Sequence, residues 1–222
     1  MADYIDRNIL CQAYVHIEPE NLEEDEYDTF QAQIDHFIQA RGRFFLYAEI
    51  DPTVELKDGS LKVYATLAGA LYIGIGQCGS FRSGLDFLAS DVKRLSESIV
   101  NECLFLSRSR QENVLRVEAR LGVVGSLKSV VDDLEFIEKN MGVVSVSQLQ
   151  KKLEATIEDT EKLLANLMDP KDVPFVKKNL LKVAEECLPE RATTPKKKKP
   201  QPDAKALYRR NRKELISILK EQ

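Results

Sequence analysis

The residues whose types and spacing could do chemistry lie between 74 and 80. Gly74-Ile75-Gly76-Gln77-Cys78-Gly79 has the form GxGxxG, follows an apolar run and precedes a helix that Ser80 can cap. Such a turn brings backbone N–H groups to a phosphate at a helix N-terminus. A dinucleotide fold, however, opens with this unit and sets an acid about twenty residues on, at the end of a second strand. Here a helix and a hairpin come first, and Glu118, the first acid on a strand, stands nearly forty residues after the glycines. No Lys-Ser/Thr follows them, which excludes a Walker A loop. The turn therefore reads as a site of close packing, with a nucleotide-dependent enzyme as the rival reading.

Cys78 has its own rival reading. A thiolate just before a helix N-terminus is stabilised, but GQCGS has Ser80 where a hydrolase elbow needs glycine. The base would have to be His16, on the polar side of a strand, or His36, off the apolar face of its helix. Cys78 reads as an inert small thiol, and a thiol enzyme stays the alternative. With two histidines, and with Cys11, Cys78, Cys103 and Cys187 far apart, no metal-ligand spacing exists. Asp132 with Asp133, and Glu49 with Asp51, lie near turns and helix starts, where acids are common, and receive no role. No catalytic, cofactor-binding or metal-ligating residue is assigned.

The clearest signal is electrostatic. Residues 191–222 hold eleven Lys/Arg against three Asp/Glu, and residues 1–190 hold 21 against 33, so a tail near +8 follows a body near −12. A basic tail seeks a polyanion, an acidic partner or its own acidic body. Lys196, Lys197, Lys198 and Lys199, with Arg209, Arg210, Arg212 and Lys213, are the candidate cations, and Leu215 is the candidate anchor for a protein groove. Tyr208 is the one aromatic of the tail available to stack on a base.

The elements that would position these groups follow from periodicity. Ala13, Val15 and Ile17 alternate with Tyr14, His16 and Glu18 as a half-buried strand. Tyr27, Phe30, Ile34, Phe37 and Ile38 form a helix face closed by Gly42, and residues 43–50 read as a strand. Asp58-Gly59 turns a hairpin between residues 53–57 and 61–64, and the run after Ala65 is ambiguous. Leu85, Leu88, Val92, Leu95 and Ile99 mark the strongest helix, and residues 115–121 alternate as a strand. Helices follow through Leu127–Ile137, Ser147–Leu167 and from Pro174 to Leu188, with Gly142 ending the first.

The expected fold is α+β: a small, mainly antiparallel sheet with covering helices, then a helical hairpin and a basic tail. The corresponding divisions are an α+β core (1–142), a hairpin (143–188), a Pro/Lys-rich linker (189–203) and a basic amphipathic helix (204–222). Pro189, Pro195, Pro200 and Pro202 around four lysines cannot bury enough apolar surface to order the linker, so the tail reads as mobile and separable from the body. The start, Met1 to Arg7, lacks the basic-then-apolar order of a secretory signal. Residues 61–76 are too short and too polar for a membrane span. Scattered thiols suit the cytoplasm. The expected function is a non-enzymatic adaptor or regulatory subunit that assembles through helical surfaces and uses its tail as a tether. A protein partner is expected, nucleic acid through the tail is the alternative, and residues 147–188 offer a surface for homo-oligomers; a membrane surface is not expected.

Overall fold

A computed structural model describes residues 9–19, 22–46, 51–57, 60–68, 71–76, 80–167, 169–193 and 202–221. Strand β1 (Ile9–Ile17) buries Ala13, Val15 and Ile17 on one face, as alternation requires. Tyr14 and Gln12 on the other face are also buried. The cause is position: β1 pairs antiparallel with β3 (Ser60–Ala68) on one side and β4 (Val114–Arg120) on the other. Long side chains from both neighbours therefore lie beside its polar face. Strand β2 (Asp51–Lys57) joins β3, giving a four-stranded antiparallel sheet in the order β2-β3-β1-β4.

Helices α1 (Tyr27–Leu46) and α3 (Phe81–Leu106) pack on each other and on the sheet. The chain order interleaves a β1-α1-β2 unit with a β3-α3-β4 unit, the split β-α-β arrangement. Ser80 caps α3, its side chain accepting a hydrogen bond from the N–H of Ser83 at 3.2 Å. Leu85, Leu88, Val92, Leu95 and Ile99 face inward as their spacing demands.

Two expectations fail in α1. The helix neither stops at Gly42 nor gives way to a strand at residue 43; it runs on to Leu46, while residues 47–50 lie outside the described residues. Gly42 is buried and takes the next place on the i, i+4 stripe of Phe30, Ile34 and Ile38. A glycine inside a helix costs about 1 kcal/mol relative to alanine, less than that stripe recovers by burial. The ambiguous run after Ala65 divides: Ala65 to Ala68 complete β3, and a short helix α2 (Leu71–Gly76) follows with Leu71 and Ile75 buried.

The chain forms two compact units, residues 1–125 and 126–222. The second contains most of α4 (Gly122–Lys139), then α5 (Val146–Ala165), α6 (Asp172–Cys187) and α7 (Pro202–Lys220). Beyond α4, Gly142 takes a φ of +77°, a left-handed conformation that other residues resist. Ser145 and Gln148 then form a reciprocal capping box at the start of α5. Helix α6 opens at Asp172, two residues ahead of Pro174. Pro174 sits in the first turn, where its missing N–H has no intrahelical partner to lose.

The tail differs most from expectation. Helix α7 is not a free segment; it packs on both α5 and α6. Tyr208, Leu215 and Leu219 are buried at 0%, 0% and 4% exposure, while Leu207, expected on the apolar face, is 44% exposed. The start of the expected linker is also anchored. Ala192 is buried, and the Thr193 N–H lies 3.3 Å from the Met141 sulfur. Composition misled because it counted prolines and lysines across residues 189–203, whereas burial in α7 follows a three-four spacing that needs only Tyr208, Asn211, Leu215 and Leu219. Residues 194–201, including all four consecutive lysines, lie outside the described residues. Replacing Leu215 by alanine should therefore destabilise the chain by about 2–5 kcal/mol in urea denaturation; no measurable loss would show that α7 is detached in solution.

Candidate anion-binding site

Helix α7 runs antiparallel to α6, as successive contacts show. Tyr208 donates its hydroxyl hydrogen to the Pro189 carbonyl at 3.2 Å, Arg212 Nε donates to the Leu188 carbonyl at 2.8 Å, and Lys177 Nζ donates to the Glu221 carbonyl at 3.0 Å. Leu188 is the residue that ends α6. A helix C-terminus leaves carbonyls without intrahelical partners and concentrates partial negative charge. The Arg212 side chain answers both demands, and the hydrogen bond through Nε fixes the plane of its guanidinium.

That contact shapes a recess of about 240 Å³ lined by Glu190, Arg191, Arg209, Arg212 and Lys213. Arg209, Arg212 and Lys213 share one face of α7 because they stand at i, i+3 and i+4. Arg191 comes from the segment just past α6. Among the described residues, none of these four cations is ion-paired with a carboxylate, and Glu190 is the one acid at the rim. Like charges at this spacing repel by a few tenths of a kcal/mol. A fixed guanidinium beside unpaired cations suits an oxyanion, which it meets with a two-pronged fork.

Of the candidate cations, the structure gathers Arg209, Arg212 and Lys213 here and leaves Arg210 exposed outside the recess. Lys196, Lys197, Lys198 and Lys199 lie outside the described residues. Leu215 is interior, packed within its own unit, and so has no surface to give a partner in this arrangement. Tyr208 is fully buried and cannot stack on a base. Sequence reasoning missed Arg191; its only signal was a cation just beyond a helix C-terminus.

The first unit holds the remaining candidates. Gly74 and Gly76 lie within α2, and residues 77–79, with Cys78, lie outside the described residues. Cys103 and Cys187 are buried and in no disulfide, and burial pushes the Cys103 thiol far up, aided by the nearby charge of Glu102, so it stays protonated. Among the described residues no group of three His, Cys, Asp or Glu side chains is placed to hold a metal ion. On the sheet face, the Tyr14 and Tyr64 rings lie 5.0 Å apart and the Arg120 guanidinium sits 4.4 Å over Tyr14. Glu118 pairs with both Arg116 and Arg120. Gln12 accepts from Arg120 at 2.9 Å and donates to the Thr66 hydroxyl at 2.9 Å. Hydrogen bonding to Arg120 holds the Glu118 carboxyl below its usual range, against a smaller opposing effect of burial. This network satisfies its own members. His16 on the same face has a buried Nε2 without a partner, and desolvation, reinforced by Lys62, lowers its pKa.

A larger groove, about 880 Å³, runs between α1 and α3. It is open, its lining mixes Asp28 and Glu102 with His36 and Arg41, and its apolar part is Phe37 and Leu106. Arg41 lies 5.2 Å from the centre of the Phe37 ring. Size alone favours this groove, but its lining mixes two carboxylates with one guanidinium and gathers no charge of one sign. The α6–α7 recess has the more specific chemistry.

No protein-family model, curated protein or solved structure matches the chain. No helix among the described residues is long and apolar enough to cross a membrane.

Tyr208 ties the recess to stability. Burial pushes its phenol from 10.0 up to about 12, with the positive charge of Arg212 pulling the other way. The folded chain therefore holds the proton that the unfolded chain loses first. Tyr208 contributes fully below about pH 10, and that contribution should be lost as pH rises toward about 12. In paired denaturation curves, Tyr208→Phe should remove this part of the alkaline slope, since lysine titration is common to both chains. Identical slopes would show the phenol to be exposed.

Proposed function

We propose that the protein is a non-enzymatic adaptor whose helical C-terminal unit holds an acidic segment of another protein at the α6–α7 recess. The observation that carries this reading is the group of four cations without carboxylate partners around one pocket, with Arg212 fixed by the Leu188 carbonyl. A compact recess suits a carboxylate side chain or a chain end. Duplex nucleic acid is instead tracked by cations spread along a stripe. The charge of residues 1–190, near −12, also opposes a long polyanion. Buried, reduced thiols accord with a cytoplasmic setting.

Deleting residues 190–222 would remove the helix that completes the unit, so point substitutions make the cleaner test. A fluorescent peptide rich in Glu and Asp should bind the full chain, and affinity should fall as salt rises. Arg209→Glu with Lys213→Glu should weaken it by about tenfold or more with the melting temperature retained. Tighter binding of a DNA or RNA duplex of equal charge, lost in the same variant, would replace this reading with the nucleic-acid one; no binding of either would remove both.

A further inference from the structure

Strand β4 is an edge of the sheet: the order β2-β3-β1-β4 leaves no described strand beyond it. From Arg116 to Arg120 its residues alternate, with Val117 and Ala119 on one side and Arg116, Glu118 and Arg120 on the other; at Leu115 the register with β1 shifts, so that Val114 stands opposite Ile17. Val117 and Ala119 stand opposite Val15 and Ala13, which are buried, so the apolar set faces the helices. Yet Leu115 is 51% and Val117 41% exposed. An edge strand with exposed apolar residues is a template for another strand, and natural edges are usually guarded by charge. Here the charges are arranged so that they fit a copy of themselves.

We propose that β4 pairs antiparallel with β4 of a second copy of this chain, about a two-fold axis through Val117. In this register Val117 meets Val117, Leu115 meets Ala119, and Arg116 meets Glu118 on both sides of the axis. Val117 is the midpoint of the strand, so the overlap is the longest that two copies can make; it is regular from Arg116 to Glu118 and meets the irregularity at Leu115 on either side. Competing registers fail on named residues. A slip of one residue sets the charged row against the apolar row. A slip of two in one direction sets Arg116 against Arg116; in the other, it sets Glu118 against Glu118 and Arg116 against Arg120. A slip of four, centred on Ala119, again sets Glu118 against Arg120 but leaves Val114 to Val117 unmatched within the strand; the centred register satisfies the charges with the longest overlap, and an isologous pairing satisfies them twice. Arg116, whose side chain is 62% exposed, pairs with Glu118 of its own strand and would exchange that exposed partner for Glu118 of the second copy. The product is a continuous sheet of eight strands with Leu115 and Val117 covered. This surface is independent of the α6–α7 recess.

The test is sedimentation of the full chain over a wide concentration range. The wild type should show a concentration-dependent dimer. Arg116→Glu and Glu118→Arg should each weaken it by about tenfold or more, since each sets like charges across the axis. An equimolar mixture of the two variants should recover the dimer, because both cross-axis pairs are then opposite in sign. Melting curves establish that each variant is folded. Should either variant not fold, Val117→Cys serves alone: it should oxidise to a disulfide-linked dimer much faster than Phe105→Cys, an exposed control on α3 (77%). A wild type monomeric throughout, a dimer indifferent to both charge reversals, a folded mixture that stays monomeric, or equal cross-linking of the two cysteine variants would each overturn the proposal.

Discussion

Helices α5 and α6 each bury one stripe of side chains, and α7 packs on both more closely than they pack on each other. The second unit rests on that packing. Leu149, Leu153 and Ile157 from α5 and Val176, Leu180 and Val183 from α6 are buried together with Tyr208, Leu215 and Leu219 from α7. Isolated helices in water draw little stability from propensity alone, even at the 19 residues of α7. Its order comes from tertiary contact. The same docking brings Arg209, Arg212 and Lys213 beside the end of α6, so apolar burial on one face of α7 fixes the charges on the other.

Electrostatics has a different role in each unit. Around the α6–α7 recess the cations lack carboxylate partners among the described residues, and the one fixed guanidinium is held by a backbone carbonyl. On the sheet, Arg116, Glu118 and Arg120 sit within one strand and bind one another. Exposed ion pairs of this kind contribute little to stability. Their consequence is directional: they determine which strand registers are tolerated along an edge.

The central place of β1 explains the largest departure from simple alternation. A strand with one solvated face should show its polar residues to water. Tyr14 and Gln12 do not, because Tyr64 and Thr66 on β3 and Arg120 on β4 lie against them. Burial of Tyr14 is affordable only because its ring meets another ring and a guanidinium. His16, two residues on, lies tilted 6.4 Å from the Tyr14 ring, but its buried Nε2 has no hydrogen-bond partner, and desolvation, reinforced by Lys62, lowers its pKa.

Local sequence determined what depends on neighbours along the chain. The alternation of β1 and β4, the Ser80 cap, the inward row from Leu85 to Ile99 and the close of a helix near Gly142 were all legible, because each is a property of a few consecutive residues. So were Arg209, Arg210, Arg212 and Lys213 as the charged residues of the last helix, though not which of them would converge. Tertiary structure decided the rest. Whether Gly42 ended a helix depended on the stripe it would join, and whether α7 was free depended on grooves that only folded α5 and α6 provide. Arg191 joined the recess from just beyond α6, a juxtaposition invisible to periodicity. Which strand became an exposed edge was settled by pairing between residues far apart in sequence, where the entropy of loop closure and the burial of whole faces outweigh local preference.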